Sequence, residues 1–233
     1  MIKSKNKFIA LLLILLTSFK QLNSAEMTEP IKVDWSFKGL TGTFDRASLQ
    51  RGFQVYKEVC SSCHSMQYLS YRNLGEPGGP EFSEQEVKAI AASFEIDDGP
   101  DSQGEMFTRP GRPSDKFKNP YPNVQAAIAA NGGAYPPDMS VLVKARKGGA
   151  NYIYSVLVGY EDPPSGVTLD EGVYYNKYMI GNKIKMPNNL IDGLVEYADG
   201  TDSTVDQMAK DVTTFLAWAA EPELEERHKT GVK

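Results

Sequence analysis

Apolar residues recur at helical spacing in two well-marked stretches of this chain. Leu49, Phe53, Tyr56 and Val59 keep one face of a predicted helix apolar, and Asp45 or Ser48 supplies its cap. Val205, Met208, Val212, Phe215, Leu216 and Ala219 do the same near the end of the chain. There Thr204 to Gln207 has the form of a capping box, and Pro222 marks the stop. Weaker signals lie between. Ser83 to Glu86 is another capping box, predicting a helix through Val87, Ile90 and Phe94. Asn123 caps a helix through Val124, Ala127 and Ile128 that Asn131-Gly132-Gly133 stops. Met139 to Arg146 is expected to be helical, ending at Gly148-Gly149, and Tyr152 to Leu157 suits helix or strand. The rest is punctuated by Gly and Pro. Residues 26–44 are expected to be extended, 75–80 to turn and 97–122 to be irregular. Residues 161–202 are expected to be loops with short strands near Tyr174 and Leu194. The pattern is mostly α with long loops, in one domain.

Charge and the N-terminus refine this picture. The formal net charge of the 233 residues is -5. The first 25 residues hold four lysines and no acid, which leaves 21 basic against 30 acidic residues, a balance of -9 for the remainder. An acidic body argues against nucleic acid as a partner and suits a basic one. Three lysines precede the apolar run from Phe8 to Leu16, and Asn23-Ser24-Ala25 offers small residues before Glu26. Residues 1–25 therefore read as a cleaved export signal, too short in its apolar run to span a membrane, leaving 26–233 as the mature domain outside the cytoplasm.

The chemistry is concentrated in Val59-Cys60-Ser61-Ser62-Cys63-His64, which holds both cysteines and one of the two histidines. A structural zinc site wants a second pair of ligands, and the other histidine is His228 in a charged tail. A redox dithiol belongs in a βαβ unit, which the pattern lacks, and a plain disulfide has no use for the histidine. Covalent haem attachment uses all three side chains: the thiols add to the two vinyl groups, and the imidazole faces the iron as proximal ligand. A haem also needs apolar cover and donors for its propionates. Gly52 would let an aromatic such as Phe215 or Trp218 of the last helix come close to the first.

The sixth iron ligand is less legible. Met27, Met66, Met106, Met139, Met179, Met186 and Met208 are the candidates in the mature chain. Met66 is too near His64 to reach the opposite face, and Met208 falls on the core face of the last helix. Met186, in the loop Lys185-Met186-Pro187-Asn188-Asn189, has a proline behind it that restricts the backbone, and Met139 is the runner-up.

Several longer stretches resemble one family. "RGFQVYKEVCSSCHSMQYLSYRNL", "DGPDSQGEMFTRPGRPSDKFKNPYPN", "NGGAYPPDMSVLVKARKGGANYIYSVLVGY", and "KMPNNL" followed by "DVTTFLAWAAEPE" are similar to cytochrome c1, the c-type haem subunit of the quinol–cytochrome c reductase complex. The resemblance implies a mainly α, class I cytochrome c-like haem domain with long loop insertions. It implies that Cys60 and Cys63 hold one haem c, with His64 and Met186 as axial ligands. By the same likeness Asn131, Ala134, Pro136 and Pro137 line the pocket, Arg146 meets a propionate, and Tyr152 lies near the haem edge. The implied function is one-electron transfer, without bond chemistry of its own, from an iron–sulfur protein to a soluble cytochrome c. Cytochrome b and Rieske iron–sulfur subunits would be neighbours on the periplasmic side of the inner membrane. The family pattern ends in a membrane-spanning helix, and this chain stops at His228-Lys229-Thr230-Gly231-Val232-Lys233, where that helix would begin. A free-standing periplasmic c-type cytochrome and a haem peroxidase-like enzyme are the alternatives at this level. Glu81 to Glu105 carries eight acids against Lys88, a balance of -7, and is expected to dock a basic acceptor.

Overall fold

The computed structural model describes residues 28–231, so the expected export signal and Met27 lie outside the described residues. Six α-helices carry the described part: α1 (Arg46–Glu58), α2 (Glu84–Ala92), α3 (Val124–Ala130), α4 (Gly149–Val158), α5 (Val205–Ala220) and α6 (Leu224–Gly231). Two small antiparallel pairs join them, β1 (Glu95–Asp98) with β2 (Phe107–Pro110) and β3 (Tyr174–Tyr175) with β4 (Lys183–Ile184). The mainly α reading therefore holds. Among the described residues no helix is long and apolar enough to cross a membrane.

The caps work as local chemistry requires. Asp45 accepts from Ser48 N at the start of α1, Asn123 from Ala126 N at α3, and Ser83 and Glu86 exchange bonds at α2. At α5 only half of the expected box forms. Thr204 Oγ1 accepts from Gln207 N at 3.1 Å, but the Gln207 amide turns along the helix to Asp211 Oδ2. Pro222 lies just past the C-cap at Glu221.

The crossing of α1 and α5 is the centre of the molecule. A Cβ on Gly52 would sit 2.1 Å from the Asp211 carbonyl oxygen and 2.8 Å from Phe215 Cβ, so only glycine allows this approach. The aromatic met there is Phe215, whose ring lies 5.7 Å from that of Phe53; Trp218 packs instead against Gly79. Asp211 is fully buried in the seam. Arg51 Nε at 2.9 Å, Ser48 Oγ at 2.7 Å and Gln207 Nε2 at 3.1 Å satisfy its carboxylate. A buried charge is tolerable only when so compensated. Around this seam Tyr56, Tyr71 and Phe117 extend an aromatic core.

Residues 28–44 lie as a strap that is only partly the extended chain expected: 36–41 turn, with Lys38 N bonded to Trp35 O at 3.0 Å and Thr43 N to Ser36 O at 3.1 Å. Trp35 Nε1 donates to Asn151 Oδ1 at 2.7 Å and Ile31 N to Ser155 Oγ at 2.8 Å, tying the strap to α4.

Three expectations are corrected, and one segment without an expectation gains a structure. The stretch 97–122 is not wholly irregular: β1 and β2 pair with Ile96 opposite Arg109, and the Arg109 guanidinium grips both Asp98 and Asp115. Residues 139–146 form successive turns rather than a helix: Leu142 N bonds Met139 O at 3.2 Å, and Ala145 N is shared between Val141 O and Leu142 O at 3.0 and 3.1 Å. The strand expected near Leu194 is a turn, closed by Leu194 N to Ile191 O. The charged tail is helical as α6, docked through a two-pronged bond from Arg46 to buried Glu225 at 2.7 and 2.8 Å.

Gly52→Ala tests the crossing. Alanine gains up to about 1 kcal/mol of helix propensity, but forcing a methyl into this contact costs about 1–3 kcal/mol or more. The expected result is a clear fall in the denaturation midpoint; a rise would show that the two helices separate freely.

Candidate functional site

The end of α1 delivers the paired thiols. Its C-cap is Val59, and Cys60–Ser62 continues as one tighter helical turn. Cys63 N and His64 N both bond back to Cys60 O, at 3.1 and 2.9 Å. Ser61 Oγ caps Lys57 O at 2.7 Å and Ser62 Oγ caps Val59 O at 2.9 Å, so every residue of the motif is tied to the preceding turn. The two cysteines are free thiols that face one cavity. Burial, and then the neighbouring Cys63, push the Cys60 thiol up to about 12.

That cavity has a volume of about 580 Å³, within the ~300–1,000 Å³ usual for cofactor sites. Val59, Cys60, Cys63 and His64 form one side. The segment after α3 supplies Asn131, Ala134, Pro136 and Pro137, and the turns that follow supply Met139, Leu142 and Arg146. Helix α4 contributes Tyr152, Ile153, Val156 and Leu157, α5 contributes Val212 and Leu216, and the 184–190 loop contributes Met186. All ten residues singled out in the sequence thus line a single cavity.

His64 is buried, and its Nδ1 pairs with the Pro137 carbonyl at 2.8 Å. A carbonyl can only accept, so Nδ1 carries the hydrogen and Nε2 keeps its lone pair. Burial lowers the His64 pKa, against the opposing pull of the Pro137 carbonyl and the Asp138 charge. The neutral, ligand-competent ring is thereby favoured.

Asp138 is not singled out by the sequence, yet it has a role beside the histidine. Its carboxylate accepts from Ser65 Oγ at 2.7 Å, Gln67 N at 2.9 Å and Ser140 N at 2.9 Å. Burial pushes its pKa upward, but these bonds outweigh that and leave it low. It clamps the residues after His64 to the turn that holds the histidine ring. Nothing in the local pattern reveals this, because the partners are about 71–73 residues apart.

The methionines now separate. Met66 and Met208 are fully buried outside the cavity and Met106 is 66% exposed, whereas Met139, Met179 and Met186 line it. Met139 is bonded through its main chain to Ser65, beside the histidine. The Met179 sulfur receives the Tyr152 hydroxyl at 3.1 Å. Met186 is half-buried, and its carbonyl accepts the Tyr160 hydroxyl at 2.9 Å. Arg146 is exposed at the rim and has no carboxylate partner among the described residues.

The donor set suits a c-type haem: two thiols, an oriented imidazole, a thioether and a rim guanidinium around largely apolar walls. Comparison with known proteins agrees. Residues 35–233 match the model of the cytochrome C1 family. The chain is 55% identical over 199 residues to cytochrome c1-2, heme protein, mitochondrial, of Solanum tuberosum, covering 85% of this chain and 75% of that protein. It is 50% identical over 218 residues to cytochrome c1 of Rhodospirillum rubrum, covering 87% and 79%. With cytochrome c1, heme protein, mitochondrial, of Saccharomyces cerevisiae it shares 54% identity over 200 residues, 85% of this chain and 64% of that one. A thiol pair and histidine on a capped helix end, a methionine loop facing them, and likeness over nearly the whole described chain have one meaning: this chain belongs to the cytochrome c1 family.

Proposed function

We propose that the chain is the electron-transfer subunit of a quinol–cytochrome c reductase complex, carrying one haem c. It receives electrons from the Rieske iron–sulfur subunit beside cytochrome b and passes them to a soluble, basic cytochrome c. The observation that carries this reading is the His64 geometry: Nδ1 committed to Pro137 O leaves Nε2 for a metal, in a cavity that both cysteines and Met186 also line. Haem, when bound, supplies a one-electron iron couple. The chain's own residues do the rest. Cys60 and Cys63 hold the group covalently, and His64 Nε2 and the Met186 thioether are the two iron ligands. Met139, which also lines the cavity and is bonded through its main chain to Ser65, is the runner-up, and Met66 is buried outside the cavity. Arg146, unpaired at the rim, offers its planar fork to a propionate. The walls from Ile153, Val156, Val212 and Leu216 exclude water, which together with a thioether ligand favours a high potential. Residues 1–25 export the chain, and residues 26–233 form one haem domain on the periplasmic side of the inner membrane. Membership in the family favours work within the complex over a free-standing cytochrome, and ligation by both His64 and Met186 would leave no open iron position for peroxidase chemistry.

Acceptor docking is assigned to the acidic stretch, in a revised form. Glu81 is paired with Arg46, Glu84 with Lys88 and Asp98 with Arg109, and Glu86 is spent on the cap of α2. Glu95, Asp97, Asp101 and Glu105 are exposed on the β1–β2 hairpin without a basic partner among the described residues. Four like charges on one protruding hairpin suit long-range attraction of a basic carrier that must leave again quickly.

The attachment reading is tested by acid–acetone extraction. Haem should stay with the native chain and with either single variant, Cys60→Ala or Cys63→Ala, and be lost from the double variant; extraction from the native chain would sink the assignment. For the iron, Met186→Leu should abolish the weak red absorption of methionine-ligated ferric haem, open the reduced protein to carbon monoxide and lower the potential. Retention of the band there, with loss in Met139→Leu, would transfer the ligand to Met139. Docking is measured by stopped-flow reduction of a basic cytochrome c. Changing Asp97 and Asp101 to Asn and Glu105 to Gln should slow the reaction roughly three- to tenfold at low salt. The rates of the two proteins should converge as salt screens beyond ~8–10 Å; identical salt slopes would place the contact elsewhere.

A further inference from the structure

We propose that Tyr160 is the positioning residue of the methionine loop: its hydroxyl fixes the Met186 main chain and so holds the thioether against the cavity. This rests on Met186 being the sixth ligand and names what keeps it in place.

The loop has little else to hold it at that point. Met186 is followed by Pro187, whose nitrogen has no hydrogen, so the peptide between them offers only its carbonyl for tethering. That carbonyl has one hydrogen-bond partner among the described residues, the Tyr160 hydroxyl at 2.9 Å. The next tether along, Lys185 Nζ to Gly132 O at 2.8 Å, is at the exposed surface, where water competes. The Tyr160 bond is partly buried, where a hydrogen bond is stronger and its loss leaves a polar group unsatisfied.

Tyr160 itself stands on a rigid mount. It follows Gly159, the C-cap of α4, where a Cβ would come within 2.4 Å of the Tyr178 ring, so the chain turns tightly against that side chain. Tyr160 then bridges antiparallel to Asn176, and Lys177 N bonds Gly159 O at 3.1 Å. Asn176 is fully buried and ties back to α4 through Val156 O at 2.7 Å. One wall of the cavity, α4, is thereby linked through a fixed side chain to the loop opposite the histidine.

The test uses the haem-loaded protein and the conservative change Tyr160→Phe, which removes one oxygen and keeps the ring. Tyr154→Phe is the control. Tyr154 lies on α4, the helix that ends just before Tyr160, and its variant also loses a hydroxyl bond, to Asp206 Oδ1 at 2.5 Å, but it does not line the cavity. Imidazole competes with the methionine for ferric iron, so its dissociation constant reports how readily the thioether lets go. Tyr160→Phe should tighten imidazole binding about fivefold, the change that about 1 kcal/mol for one net hydrogen bond produces, and the red methionine band should fade at a lower temperature. Tyr154→Phe should lower unfolding stability and leave the imidazole constant as in the native protein. An unchanged constant in Tyr160→Phe, or an equal change in both variants, overturns the positioning role. If the native protein lacks the methionine band, or Met186→Leu keeps it, the ligand assignment fails instead.

Discussion

Everything at the site depends on how closely α1 can approach α5. Gly52 removes the side chain that would keep them apart, and the Asp211 carboxylate in the seam is held by Arg51, Ser48 and Gln207. From that fixed crossing, α1 runs on to Cys60, and α5 presents Val212 and Leu216 to the cavity. The thiols and the apolar wall are therefore positioned by one contact. An error of one residue in its register would turn Val212 and Leu216 away from the thiols.

The two proposed iron ligands, His64 and Met186, are held in different ways, and chain chemistry explains why. His64 follows a continuous helical turn, so its backbone is already ordered, and one carbonyl from Pro137 fixes the ring and its tautomer. Asp138 adds a network of three bonds behind it. Met186 lies in irregular chain before a proline, with its own carbonyl held by a tyrosine hydroxyl on a distant helix end. The histidine side thus combines an ordered local turn with long-range bonds to Pro137 and Asp138, whereas the methionine side rests on tertiary contacts alone.

Charge follows a division of labour. Buried acids such as Asp211 and Glu225 are bonded to arginines and join elements together. Exposed acids on the β1–β2 hairpin lack such partners among the described residues and are available to act at a distance. At the rim, Arg146 is the complementary case, a cation without an ion pair among the described residues beside an apolar cavity.

The sequence alone determined whatever depends on near neighbours. Caps at Asp45, Ser83, Asn123 and Thr204 are satisfied within one turn, so the starts of four helices were legible, as was the thiol–thiol–imidazole motif at the end of one. Gly52 was legible as a point of close approach because a missing side chain in an apolar helix face has few other uses. Features satisfied at long range were decided by the tertiary structure. Residues 139–146 have helical composition, yet the segment closes turn by turn between its long-range anchor at Ser65 and Gly148-Gly149. The Gln207 amide abandoned its expected cap for Asp211, and Arg109 drew Asp98 and Asp115 together to shape a hairpin in a stretch rich in Gly and Pro. The clamps by Asp138 and Tyr160 join residues far apart along the chain, and no local periodicity encodes such a pair. A backbone donor or acceptor must find some partner, and only the folded chain determines which one is within reach.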